Sequence, residues 1–329
     1  MIDICCSAPG KVIVAGEYAV LDGAPAICMA VNRRARVTIT SSEDGDHSVH
    51  ASGGAASQGR FTADRGRIRW RHGGEAFALL EAVWRELLPA AAVKLSIGLD
   101  STAFVDSAST RKLGIGSSAA LCVALAAALD RVDDGQRDIG RVAAAAHRRF
   151  QGGAGSGADV ACSHAGGLIE FRSGERPARS LQWPQGLHYA LFWSGVAAGT
   201  AGKLAKLASS RTGATRSALF AASTSVATAW SGGDAGRIFA ALRDYTTALQ
   251  RFDVDHDLGI FDAGHSDLLA VADDIVYKPC GAGGGDVGIA VAMSAAAITA
   301  FAGVARQRGF TPVRMNMDLA GVTRHRDRA

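Results

Sequence analysis

The run Arg111-Lys112-Leu113-Gly114-Ile115-Gly116-Ser117-Ser118-Ala119-Ala120 leads a glycine- and serine-rich loop straight into an apolar helix pattern. Leu121, Leu125 and Leu129 recur every four residues and fall on one helical face. The start of such a helix carries unpaired backbone N–H groups and the positive end of the helix dipole. Glycines let a ligand approach the backbone, and two adjacent hydroxyls add donors or metal ligands. These are the ingredients of a phosphate site. The loop is not a Walker loop, because no Lys-Ser/Thr pair follows a spaced glycine. A serine N-cap after a glycine turn would explain the same letters without any ligand.

Working outward, Val93, Leu95, Ile97 and Leu99 alternate as a strand before the loop, and Phe77, Leu80, Trp84 and Leu87 mark a helix before that. Towards the N-terminus, Ile2–Cys6 and Lys11–Ala15 read as strand pieces around a Pro9-Gly10 turn. Val37 and Ile39 alternate with polar neighbours as a half-exposed strand, and the polar stretch 41–60 reads as a loop or hairpin tip. After the loop's own helix, a second helix runs through Ala143–His147, and Asp159 heads a third. Residues 172–187 collect Arg, Ser, Gly and Pro and suit a domain boundary. Beyond them come the strand Tyr189–Trp193, a helix marked by Ile238, Leu242, Tyr245 and Leu249, and a glycine cluster, Lys278–Gly288, that feeds the strand Ile289–Met293. Ser294 caps a helix ending before Gly309, and Val313–Met317 makes a closing strand.

Composition narrows the function classes. At 329 residues, 48% of them hydrophobic, the chain can build one large core or two ordinary ones. A net charge of +4 suits an anionic small molecule. The clusters Arg33, Arg34, Arg36 and Arg67, Arg69, Arg71 lack the aromatic company of a nucleic-acid surface, and the second alternates like a solvated strand face. Six cysteines without C-x-x-C spacing read as reduced, and with no signal peptide and no membrane-spanning apolar run they place the chain in the cytoplasm. His47 and His50 have no cysteine partners and read as surface histidines, not zinc ligands. Gly283, Gly285 and Gly288 fit G-x-G-x-x-G, but a strand follows them, which is the wrong context for a dinucleotide fold.

Three glycine-rich segments far apart in sequence are expected to converge on one multi-phosphate ligand. Phosphoryl transfer needs mainly positioning and charge neutralisation. Lys11, Lys112 and Lys203 can supply cations, Ser117 and Ser118 can help hold a metal, and Asp159 can act as a base or an orienting anion. Each has a plainer alternative: an exposed strand lysine, a solvated helix lysine, a helix cap.

Taken together, the segments resemble the GHMP small-molecule kinases. The family's first motif is matched by Ala8-Pro9-Gly10-Lys11 and its continuation Ala15-Gly16-Glu17-Tyr18, the second by Leu113–Ala120, and the third by Lys278-Pro279-Cys280-Gly281-Ala282-Gly283-Gly284-Gly285-Asp286. Within that family the chain is similar to the phosphomevalonate kinase branch. It has Gly-Glu-Tyr where mevalonate kinases have Gly-Glu-His, then His147, Gln151-Gly152 and Gly155-Ser156-Gly157-Ala158-Asp159. It also lacks any carboxylate between Ala143 and Gln151, where mevalonate kinases carry a metal-binding Glu.

The resemblance implies an α+β, two-domain GHMP kinase fold. Residues 1–180 would form an N-terminal ATP-binding domain like ribosomal protein S5 domain 2, and residues 181–329 a ferredoxin-like C-terminal domain. It implies ATP with Mg²⁺, a phosphorylated mevalonate as acceptor, and no nucleic-acid or membrane partner. Lys11 and Asp159 carry over as the catalytic pair. Lys112, Gly114, Ile115, Gly116, Ser117, Ser118 and Ala119 would form the ATP loop, with Ser117 or Ser118 on Mg²⁺. Substrate contacts would come from Gly16, Glu17 and Tyr18, from Ser156, from Ser194, Thr200 and Lys203, and from Gly281, Ala282, Gly283, Gly284 and Asp286. A phosphate monoester acceptor is already anionic near neutral pH, so no strong base is required. Lys11 is therefore expected to neutralise the reacting groups, with Asp159 holding Lys11 and the acceptor in place. Kinases of mevalonate, of another phosphorylated mevalonate or of a sugar, a mevalonate-diphosphate-type decarboxylase of the same family, and a non-catalytic ligand-binding paralogue are the alternatives.

Overall fold

The computed structural model describes residues 2–325, apart from 55, 65, 90–92, 134, 154, 175–176, 200–201, 204–205, 208–212 and 273. Its first sheet is founded on β1 (Asp3–Ala15) and β2 (Ala26–Ser41), antiparallel over nearly their whole length. The expected Pro9-Gly10 turn is a bulge inside one continuous strand, with the register shifting between those two residues. A bulge absorbs the N–H that proline lacks and bends the strand without ending it. The far half of β2 pairs with β6 (Leu95–Asp100), and the near half pairs with β7 (Leu168–Phe171), which continues to β8 (Arg179–Leu181). The polar stretch read as a loop contains β3 (His47–Ser52) and the start of β4 (Ser57–Asp64). His47 is buried there and stacks on Phe61, with Nδ1 accepting from the Leu95 amide at 3.1 Å, so it is a core residue and not a surface one. Edge strand β5 (Arg67–His72) carries the alternating arginines outward.

Helices α1 (Ala78–Leu87), α2 (Ser117–Asp130), α3 (Ile139–Phe150) and α4 (Ala158–Ala165) pack with this sheet. Helix α2 is buried almost all round, because alanines occupy the faces between its leucines. A second, antiparallel sheet has the order β10-β11-β9-β12, made of β9 (His188–Trp193), β10 (Val276–Pro279), β11 (Val287–Ala292) and β12 (Thr311–Val313). The hairpin of α5 (Ala214–Gly232) and α6 (Ala235–His256) shares a core with it through Ile238, Leu242, Tyr245 and Leu249 against Leu191, Val276 and Ile289. Short α7 (His265–Leu269) and long α8 (Ala295–Gln307) join its other core through Leu268 and Phe301. The expected closing strand stops at Val313. The chain then bridges Met317 to Val31 and ends in β13 (Thr323–His325) on β1, so the last residues complete the first sheet. Among the described residues no helix is long and apolar enough to cross a membrane.

Candidate active site

Lys11 lies on β1, and its amide donates to the Ile115 carbonyl at 2.8 Å, which ties the phosphate loop to the strand. The loop turns through Gly114 at φ 75° and Gly116 at φ 80°, in the left-handed region that favours glycine. At Gly116 a Cβ would lie 3.1 Å from Lys11 Cε, so the lysine stem runs over this glycine. At Gly114 a Cβ would fall inside the Asp286 carboxylate, so the third glycine loop closes directly onto the second.

Gly116, not a serine, caps α2, and no side chain caps its amides. The plain explanation of the two serines therefore fails. The amides of Ser117, Ser118 and Ala119 donate to no protein acceptor among the described residues, and the first bond back to the cap comes from Ala120 at 3.1 Å. Three free amides, a helix dipole and the uncommitted Ser117 hydroxyl fit a phosphate chain and its cation. Among the described residues no group of three or more His, Cys, Asp and Glu side chains could hold a metal by itself. Mg²⁺ would arrive with the ATP phosphates, with Ser117 or Ser118 as its protein ligand and water in the other positions. Lys112 is exposed at the loop's entrance; Ile115 and Ala119 are buried beneath it.

Asp159 is the second residue of α4, which Gly157 caps, so it is not the helix cap either. Its Oδ1 accepts from the Val160 amide at 2.9 Å, and Oδ2 lies 3.9 Å from His147 Nδ1. His147 Nε2 in turn lies 3.1 Å from Ser118 Oγ. Burial pushes the His147 pKa down, helped by the Lys11 charge and opposed by Asp159, and leaves a neutral ring at pH 7. Lys11 and Asp159 make no ion pair with each other, and among the described residues the Lys11 ammonium has no hydrogen-bond partner. The expected Asp159 hold on Lys11 is absent, and His147 is the side chain that Asp159 faces. Ser156 Oγ accepts from the Ala158 amide at 3.3 Å beside them.

Several residues expected on the substrate are committed elsewhere. Gly16 opens the turn after β1, its carbonyl accepting from Val20 at 3.0 Å. Glu17 is buried against the equally buried Lys278, with Tyr245 Oη donating to its Oε2 at 2.8 Å and the Gly281 amide donating to its Oε1 at 3.3 Å. Tyr18, at a strained φ of 61°, donates its hydroxyl to the Ala282 carbonyl at 2.6 Å. Lys203 Nζ donates to the carbonyls of Gly259 (2.9 Å), Ala282 (3.2 Å) and Gly283 (2.9 Å), and desolvation lowers its pKa. These groups fasten the third loop from both sides. Gly283 is buried and Gly281, Ala282 and Gly284 half-buried. Ser194 and Val196 bracket Asp286 through backbone bonds of 2.9 and 2.7 Å, while the Ala198 amide donates to its Oδ1 at 3.2 Å. Desolvation raises the Asp286 pKa, and the Ala198 bond, Lys11 and Lys203 oppose the rise. Thr200 lies outside the described residues. Sequence reasoning missed Tyr245 as a partner of Glu17, because a tyrosine in a helical stripe reads as ordinary core.

Residues 78–167 match the model of the GHMP kinases N terminal domain. Among curated proteins, the phosphomevalonate kinase of Streptomyces sp. (strain CL190) is 30% identical over 373 residues, covering 96% of this chain and 94% of its own. The mevalonate kinase of Methanothermobacter thermautotrophicus is 36% identical over 173 residues, covering 52% of this chain and 50% of its own. Among solved structures, Streptococcus pneumoniae phosphomevalonate kinase in complex with phosphomevalonate and AMPPNP superposes with a TM-score of 0.79, at 17% identity, over 96% of this chain and 100% of that one. With a relative of this identity aligned along nearly its whole length, the chain belongs to the GHMP kinase family.

Proposed function

We propose that this enzyme transfers the γ-phosphoryl group of ATP to the phosphate of 5-phosphomevalonate, giving 5-diphosphomevalonate. One observation carries the phosphotransfer: a Lys11 ammonium with no partner among the described residues lies over Gly116, the residue that opens α2, whose first amides no side chain caps. The acceptor rests on relatedness along the whole chain, since the curated mevalonate kinases match only about half of it. In this reading the amides of Ser117–Ala119 bind the ATP phosphates, and Gly114 and Gly116 let them approach. Mg²⁺ bound with ATP supplies charge neutralisation on those phosphates. Lys11 bridges the charge of the transferred and accepting groups, where anion–anion repulsion is the main obstacle. Asp159 orients the acceptor and does not act as a strong base. Glu17, Tyr18 and Lys203 act at one remove, by fixing the third loop. The division into domains near residue 180 and a cytoplasmic location, which suits six free cysteines, belong to the same reading.

The test is ADP release with Mg-ATP against mevalonate, 5-phosphomevalonate, 5-diphosphomevalonate and simple sugars. Turnover is expected with 5-phosphomevalonate; turnover only with unphosphorylated acceptors would overturn the assignment. On the active acceptor, Lys11→Met should lower kcat about 100-fold or more, the usual effect of removing one preorganised charge partner. Asp159→Asn should cost less. The reverse order would show that Asp159 is an essential base.

A further inference from the structure

Ser118, His147 and Asp159 lie in separate sequence motifs, and the contact among them joins the phosphate loop to the helix that carries Asp159. His147 is 1% exposed, so its two ring nitrogens must find partners inside the protein. The polar side chains nearest them among the described residues are Ser118 Oγ, 3.1 Å from Nε2, and Asp159 Oδ2, 3.9 Å from Nδ1. An ionised carboxylate only accepts. A lone pair on Nδ1 would face that anion, whereas an N–H on Nδ1 is attracted to it even beyond hydrogen-bond length. Nε2 is then the acceptor, and the Ser118 hydroxyl must donate to it.

We propose that His147 is a positioning residue which holds the Ser118 proton on its own side, so that Ser118 presents only oxygen lone pairs to the cation bound with ATP. A hydroxyl free to rotate would present its proton to that cation part of the time. One locked as a donor to Nε2 is a preorganised ligand, in the way outer partners generally orient metal ligands. The α2 end that receives ATP and the α4 end that carries Asp159 are thereby set by one buried ring. The proposal rests on the reading of this cleft as an ATP site, not on the identity of the acceptor.

Two measurements test it. In long-range ¹H–¹⁵N spectra of the whole enzyme at pH 7, assigned by comparison with His147→Gln, His147 should be protonated on Nδ1 and bare on Nε2. The opposite tautomer overturns the proposal. In calorimetric titrations with AMPPNP, added Mg²⁺ should strengthen binding to the native enzyme. His147→Leu and Ser118→Ala should each lose about tenfold of that Mg²⁺-dependent increment, and the double variant no more than either. His147→Gln, whose amide oxygen can accept near the Nε2 position, should retain most of it. An unchanged increment in His147→Leu overturns the proposal; if that variant does not fold, the native spectrum decides. Neither readout involves the acceptor, so a kinase of another acceptor would leave this assignment standing. A wrong tautomer would equally leave the phosphomevalonate reading intact.

Discussion

Lys203→Met separates two roles that the sequence could not. As a cation for the acceptor's charge, Lys203 would contribute to substrate affinity alone. In the structure its ammonium donates to the carbonyls of Gly259, Ala282 and Gly283. After truncation, Ala282 keeps Tyr18 Oη and Gly259 keeps the Asp262 amide at 3.4 Å, while Gly283 has no other partner among the described residues. Hydrogen bonds to a charged group contribute about 1.5–3 kcal/mol each and one orphaned carbonyl costs about 1–3 kcal/mol. The three bonds share one half-buried donor that water can partly replace, so the loss should be near 2 kcal/mol in total, not three times that. For a unit of 150–250 residues this is a fall in Tm of about 4–8 °C. Because the loosened loop carries Asp286 onto Gly114, kcat should fall about tenfold and both KM values should rise. Differential scanning calorimetry and steady-state kinetics on the same preparation check this. Unchanged Tm, with a tenfold rise in acceptor KM alone, would refute the tether and restore Lys203 as a substrate contact.

Three further outcomes are expected. Gly114→Ala adds the strain of a positive φ, about 1–2 kcal/mol, and a methyl that must displace Asp286; nucleotide affinity should fall at least tenfold by calorimetry while circular dichroism stays native. Lys278→Met strands buried Glu17 and should destabilise by about 3–5 kcal/mol; adding Glu17→Gln should recover part of this in urea unfolding, since the Gln oxygen can still accept from Gly281 while its NH2 donates to the Tyr245 hydroxyl. His265 is fully buried, its ring in contact with Tyr277 Oη at 2.8 Å and Gly285 O at 3.1 Å, and desolvation lowers its pKa from 6.5 to about 4. The unfolded chain therefore binds the extra proton between those values, so stability present above pH 6.5 is lost as pH falls towards 4. From pH 7 to 5 denaturant titration should show a loss of about 2 kcal/mol from this group, absent in His265→Asn if that variant folds.

The phosphate loop and the helix after it were legible in the letters, because glycine before a run of alanine and leucine leaves little else to form. The continuous β1 was not: Pro9-Gly10 is local turn chemistry, and only pairing with Arg34 and Val31 across the ladder turns it into a bulge. The hairpin within residues 41–64 was hidden because its core is made by His47 stacked on Phe61, not by an apolar alternation. The return of residues 323–325 to β1 was equally invisible, since three residues carry no period.

For the site, the sequence alone determined which segments converge: Lys11, Gly114–Ala119 and the 281–286 loop are singled out by residue type and spacing, which set backbone freedom and charge. Tertiary structure alone decided which of those side chains are free to act. Among the described residues Lys11 is left unpartnered; Glu17, Tyr18 and Lys203 are taken up in joining loops; Asp159 faces His147 and not Lys11. The reason is that a side chain's role depends on whether its hydrogen-bonding capacity is already satisfied inside the protein. Those partners can be distant along the chain: Ala282 lies 264 residues from Tyr18.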